Sequence, residues 1–280
     1  MPGPIVCGID SSPGAGGAAR VAAALARELD CGLVLAYVAA ESSTSPRGDR
    51  PFWKRSRRRE AVRERLEQMA SMLAGLEPSV TVSFGEPAQG LLSICDERDA
   101  DLLVLAPRLR RGLDRFRPSF SARLMTRTPC PLLLVPEGAA RRFFAADLTG
   151  APTVVCGFDG TDDARRAAEV AKRLATALRV DMVQVLASPG AGADTTAPER
   201  FGAGSFDRDE PADTLARCAS REGAKLLVVG SRGRGPLRAA LLGSVSRVLA
   251  TRAPLPVVAV PPTARLPRMG QVATAQGRAS

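Results

Sequence analysis

The chain carries one pattern twice, and that repetition limits what it can fold into more than any other feature of its 280 residues. Pro4-Ile5-Val6-Cys7-Gly8-Ile9-Asp10 returns as Pro152-Thr153-Val154-Val155-Cys156-Gly157-Phe158-Asp159. Each copy is an apolar run closing on Gly-x-Asp, with a polar turn behind it, Ser11-Ser12 or Gly160-Thr161. Alanine-rich stretches of helical spacing follow at about 16–29 and 163–178, and then second apolar runs at 32–38 and 181–187. Gly85-Glu86-Pro87-Ala88 and Asp209-Glu210-Pro211-Ala212 place acid and proline where a helix opens. Residues 100–106 then match 224–230, and 129–136 match 254–261. Strands alternating with helices in two copies predict an α/β chain of two tandem, doubly wound domains, each around a mostly parallel five-stranded sheet. The boundaries fall at 1–137 and 152–262, with a glycine- and alanine-containing linker at 138–151 and a flexible tail at 263–280. The second copy is shortened: residues 188–198 are small and flexible, and only Phe201 to Phe206 offer a remnant edge strand.

Chemistry concentrates in Gly230-Ser231-Arg232-Gly233-Arg234-Gly235, continuing to Gly243-Ser244-Val245-Ser246. The stretch follows the buried-strand run Lys225 to Val229 and leads into a helix opened by serines. Glycines let the backbone turn tightly and let a ligand approach, while the first free N–H groups of the helix present donors to an anion. A phosphate cradle is the expectation. No lysine stands at the P-loop position, and Arg238 replaces the third glycine of a dinucleotide fingerprint.

The spacing Gly230, two residues, Gly233, nine residues, Gly243-Ser244 resembles the nucleotide-binding signature of the universal stress protein family. The duplication over nearly the whole chain resembles its tandem, Rossmann-like members. The resemblance implies ATP as ligand, with magnesium between the phosphates, and a nucleotide-dependent regulator or sensor in stress response. It implies Asp159, at the end of Gly157-Phe158-Asp159, meeting the adenine or ribose side, and Ala187 touching the base through its backbone. Val229, Gly230, Arg232 and Gly233 would lie along ribose and phosphate, and Gly243, Ser244, Val245 and Ser246 would meet the phosphates. It also implies an internal pseudo-dimer of the halves through their last strands, and leaves a further homodimer open. Asp159 has a second reading as the carboxylate that caps the following helix. In the first copy Ala106, Leu109 and Pro118 stand where the glycines belong, and only Ser119 keeps its place. A leucine in the turn and a proline without N–H predict that this half has lost nucleotide binding.

Hydrolysis needs a placed water as well as charge neutralisation. Arg232 and Arg234 supply charge alone, so binding without efficient catalysis is expected. The chain has no histidine, which removes the commonest general base and metal ligand. Six cysteines include no C-x-x-C and read as reduced core thiols. No apolar run approaches a bilayer span and no signal-peptide core follows Met1, so the expectation is cytoplasmic, with no membrane partner. The formal charge is +10, and residues 47–65 supply nine basic against three acidic groups around Phe52 and Trp53. Val62, Leu66, Met69, Leu73 and Leu76 follow at helical spacing, so these arginines read as the solvated face of a helix, and nucleic acid is not the expected partner. The competing reading is an interaction protein of the same fold that binds no nucleotide and works through its surfaces, this basic segment included.

Overall fold

A computed structural model describes residues 1–40, 52–107, 120–146, 152–186, 211–231 and 244–269. The first half runs β1 (Ile5–Gly8), α1 (Ala15–Glu28), β2 (Leu33–Ala39), α2 (Phe52–Ser71), β3 (Ser79–Phe84), α3 (Pro87–Glu97), β4 (Leu102–Leu105), α4 (Phe120–Leu124), β5 (Leu132–Leu134). Then come α5 (Ala139–Ala146) and the second half: β6 (Thr153–Phe158), α6 (Asp162–Leu178), β7 (Asp181–Leu186), α7 (Pro211–Arg221), β8 (Ala224–Gly230), α8 (Ser244–Arg252), β9 (Val257–Val260). The nine strands form one sheet in the order β3-β2-β1-β4-β5-β9-β8-β6-β7. Neighbours within each half are parallel. The halves join at the antiparallel pair β5–β9, with Leu132 opposite Ala259, Leu133 opposite Val258 and Leu134 opposite Val257. The two expected sheets are thus one surface, joined edge to edge by the last strand of each half. The second half contributes four described strands and ends at β7. The remnant strand expected at 201–206 lies outside the described residues.

Strand periodicity sorts the core onto two faces. Ile5, Cys7, Val154, Cys156, Leu226 and Val228 belong to a cluster that runs unbroken across both halves, beneath α1 and α6. The alternate residues feed two separate clusters, Val6 and Leu103 in the first half, Val155 and Leu227 in the second. All six cysteines are free thiols. Burial, with Asp10 nearby, pushes the Cys7 thiol up to about 12. No described helix is long and apolar enough to cross a membrane. The arginine-rich α2 shows Arg57, Arg58, Arg59, Arg63 and Arg65 to solvent while Leu66 is buried, and Arg63 pairs with Glu67 at 2.8 Å.

Two expectations about connecting chain are corrected. Residues 138–151 contain α5, not only a linker: Ala139, Ala140, Phe143 and Ala146 are buried, and the helix packs on α1 and β8. A helix of eight residues gains its stability from that burial, since its own backbone bonds are marginal. The tail is the second correction, because residues 263–269 are a docked strap. Thr263 and Arg265 bond the carbonyls of Thr128 and Pro129, at 3.4 and 2.7 Å. From α6, Arg166 and Arg173 donate to the strap carbonyls of Ala264 and Pro267, at 3.0 and 2.9 Å. The strap ends on buried Asp101, whose Oδ2 accepts from the backbone N–H of Gly3, Arg268 and Met269 at 2.9, 2.9 and 3.3 Å. Arg268 adds its Nε to Oδ1 at 3.2 Å.

Phe143→Ala is expected to destabilise the chain by about 3 kcal/mol, the usual cost of emptying an aromatic core site. Arg268→Ala should cost about 1–2 kcal/mol, because it strips a charged partner from a buried carboxylate. Urea unfolding measures both.

Candidate functional site

Each half places its first strand between its second and third described partners, β1 between β2 and β4, β6 between β7 and β8. The chain therefore winds outward on one side of β6 and returns on the other. Such a reversal opens a crevice at the carboxyl ends of the two central strands. In the second half those ends are Asp159, just past β6, and Gly230, the last residue of β8.

The β6 end is built by a short hydrogen-bonded turn. Asp159 Oδ1 accepts from the backbone N–H of Thr161 at 3.0 Å and from its hydroxyl at 2.6 Å. Thr161 then caps α6, its Oγ1 accepting from the N–H of Ala164 at 3.2 Å. Gly160 between them sits at φ +79°, a conformation that a side chain would strain. The helix-capping role of Asp159 is thus exerted through Thr161. Both of its bonds use Oδ1, and among the described contacts Oδ2 has none.

The β8 end is close-packed. A Cβ added to Gly230 would lie 3.1 Å from the backbone carbonyl carbon and oxygen of Asp163, in the first turn of α6. Residue 231 continues β8 by donating its N–H to Val260 O at 3.0 Å. Its carbonyl accepts from Ser246 Oγ at 3.2 Å, which ties the start of the glycine loop to the first turn of α8. The Ser231 hydroxyl itself is 0 % exposed and has no hydrogen-bond partner among the described residues. A buried hydroxyl left unbonded costs about 1–3 kcal/mol, and Ser12 Oγ in the first half's turn and Ser83 Oγ are left in the same state among the described residues. Of the two helices starting here, α6 carries Asp162 and Asp163 in its first turn, whereas α8 has no acid there. By charge, the positive end of α8 is the one that suits an anion.

The remaining expected site residues divide. Gly157 is a packing residue: a Cβ on it would meet Leu215 Cδ1 at 2.9 Å and Val229 Cγ1 at 3.2 Å. Phe158 turns to the α6 face, where it lines a shallow cavity of ≈ 200 Å³ with Met182, Arg165 and Lys172. Val229 is buried in the core cluster of the second half, and Val245 packs against it from α8. Ser244 begins α8. Ser246, buried, holds the base of the loop with its hydroxyl. Ala187, Arg232, Gly233 and Gly243 lie outside the described residues, as do Leu109, Pro118 and Ser119 of the first half. Sequence reasoning passed over Ser231, although its place after Gly230, where the first half has Pro107 after Ala106, marks it as a difference between the copies.

The first half repeats the turn and alters the cradle. Asp10 Oδ1 accepts from the N–H of Ser12 at 2.8 Å, as Asp159 does from Thr161. The close approach of β4 to α1, like that of β8 to α6, is kept with its small residue on the other side: Ala106 replaces Gly230, and Gly14 replaces Asp163. A Cβ on Gly14 would lie 3.0 Å from the Ala106 Cβ. Its α4, counterpart of α8, follows the undescribed residues 108–119 and is described over Phe120–Leu124.

An α/β chain of two doubly wound halves, each reversing its strand order beside the first strand, defines the Rossmann-like class of folds. This chain belongs to the universal stress protein family, whose pattern matches residues 1–136 and 205–261. A universal stress protein of Mycobacterium tuberculosis is 30% identical over 289 residues, covering 91% of this chain and 95% of its own. One from Mycobacterium bovis is 28% identical over 291 residues, with the same coverage. The crystal structure of a universal stress protein from Archaeoglobus fulgidus superposes with a TM-score of 0.67 at 15% identity, covering 92% of this chain and 96% of that one. That last likeness is one of fold.

Gly230→Ala and Gly14→Ala are each expected to cost about 1–3 kcal/mol, because each puts two Cβ-bearing backbones into one gap. Adding Ala106→Gly to Gly14→Ala should recover most of the loss, a coupling that a double-mutant cycle in urea reads directly.

Proposed function

We propose that this chain binds ATP in its second half and acts as a nucleotide-dependent regulator in stress response. The observation that carries the reading is the Ser231 hydroxyl, buried and unbonded in the crevice that closes around Gly230. The residues suit a nucleotide in order along the crevice. Asp159 Oδ2 would accept from a ribose hydroxyl while Oδ1 keeps its turn. Ser231 would bond ribose or phosphate oxygen, and Gly230 and Gly233, without side chains, would let the sugar and phosphates approach the backbone. The N–H groups at Gly243, Ser244 and Val245 would receive the phosphates at the start of α8, with Arg232 adding charge and Ala187 offering its backbone to the base. Magnesium would arrive on the phosphates. In the first half, Leu109 and Pro118 in place of the glycines argue against a second site.

Three or four charge-assisted bonds at about 1.5–3 kcal/mol each, with burial of a purine, offset the cost of association and support roughly micromolar affinity, about 8 kcal/mol. The reading is of binding, with little turnover.

Titration calorimetry with Mg-ATP should give one nucleotide per chain. Asp159→Asn, which keeps the turn, should weaken binding about tenfold, and Gly243→Pro should abolish it with the circular dichroism unchanged. A chain that binds no ATP at high micromolar concentration overturns the proposal, and steady phosphate release at enzymatic rates overturns its non-catalytic part.

A further inference from the structure

The strands β4 and β8 are equivalents in the repeat, and each begins with a buried charge of opposite sign. Asp101 precedes Leu102 and is 5 % exposed; Lys225 precedes Leu226 and is 4 % exposed. Each faces the other half. Asp101 holds the strap that follows β9, through the Arg268 side chain and the backbone N–H groups of Arg268 and Met269. Lys225 reaches Glu28 at the end of α1, its Nζ at 2.8 and 2.9 Å from the two carboxylate oxygens. It also stands 4.9 Å from the ring centre of Phe143, in the α5 that follows β5. Each of these positions therefore meets the segment that follows the opposite half's last strand, Asp101 the strap and Lys225 α5, and Lys225 draws its counter-charge from the neighbouring end of α1.

We propose that these two buried charges decide which half pairs with which: each half accepts the other and refuses a copy of itself, so the β5–β9 seam closes within one chain. Across an isologous contact, replacing one half by a copy of the other exchanges these partners. If two second halves met, Lys225 of one would face Arg268 of the other, cation against cation. If two first halves met, Asp101 would face Glu28 and the negative ring face of Phe143, while Arg141 and Arg142 of α5 point to solvent. An unpartnered charge at so buried a place is strongly unfavourable, whereas the mixed pairing satisfies both. Like charge set against the wrong partner is a usual source of pairing specificity. The inference concerns how the halves assemble and is independent of whether a nucleotide binds.

The test is carried out on the full chain by light scattering after size-exclusion chromatography, over a range of concentrations. Lys225→Glu sets a second carboxylate against Glu28 within the chain but brings it toward Arg268 of a copy, so it should form concentration-dependent assemblies larger than the parent chain. Glu28→Lys sets a second ammonium against Lys225 within the chain but brings it toward Asp101 of a copy, and should assemble likewise. The double reversal restores the pair inside the chain, where the covalent link gives it the advantage of effective concentration, and should return to the parent mass. Lys225→Met removes the charge without inverting it and should keep the parent mass. If Lys225→Glu fails to fold, Glu28→Lys carries the test, since the Glu28 side chain is 34% exposed. Glu28→Lys at the parent mass, a double reversal that assembles as the single ones do, or assembly of Lys225→Met would each overturn the proposal.

Discussion

Three residue pairs hold the architecture together: Leu132 with Ala259, Leu133 with Val258, and Leu134 with Val257. Because β5 and β9 run antiparallel, the two parallel halves point their strand ends in opposite directions. The carboxyl-end crevice of one half then lies beside the amino ends of the other half's strands. That geometry explains the strap. Chain leaving β9 at the crevice end of the second half emerges next to Thr128, Pro129 and Asp101, at the opposite end of the first half. It explains α5 in the same way: chain leaving β5 reaches the start of β8, where Phe143 meets Lys225. A parallel seam would have sent both segments to the same end and left both starting charges bare.

A short seam alone would be weak, since each strand contributes only a few ladder bonds. The unbroken apolar layer on one face supplies the rest. Residues of both halves share it, along with Phe143 from α5 and Ala264 and Met269 from the strap. The other face is divided into two clusters, so there each half packs largely on its own. The asymmetry follows from where the connecting segments run. Only one face receives chain that belongs to neither half's repeat.

The repeat and the doubly wound alternation of strands and helices within each half were legible in the residues. Periodicity placed the buried runs, Gly-x-Asp marked the turn after each first strand, and Glu86-Pro87 opened a helix that Glu86 does cap, through the N–H of Gln89. What escaped reading was held by interactions without a period. The strap is tied by backbone carbonyls, arginines and one carboxylate, and a Pro-, Thr- and Arg-rich string reads as tail because nothing in it alternates. Within α5, the apolar face is made mostly of alanine, too small to distinguish a packed helix from a spacer. At the candidate site, Gly157 looked like a ligand residue beside Asp159, yet its missing side chain makes room for Leu215 and Val229. One-dimensional spacing cannot say on which face of a strand a glycine's gap opens.

The divergence of the halves also has a physical logic. The approach of β4 to α1, and of β8 to α6, tolerates only one Cβ, and the copies solve it on opposite sides, Gly14 with Ala106 and Asp163 with Gly230. Placing the glycine on the strand lets the first turn of α6 close directly on β8, with the Asp163 backbone in the space a side chain would fill, while placing it on the helix lets the Ala106 methyl fill that gap. Ser231 follows the strand glycine and donates its N–H to Val260, whereas Pro107 follows the strand alanine and has no N–H to give. Two substitutions that look unrelated in sequence thus act on one junction of strand and helix. The second half also begins β8 with the cation that meets Glu28, so its loop end and its seam end have both moved away from the first copy's chemistry.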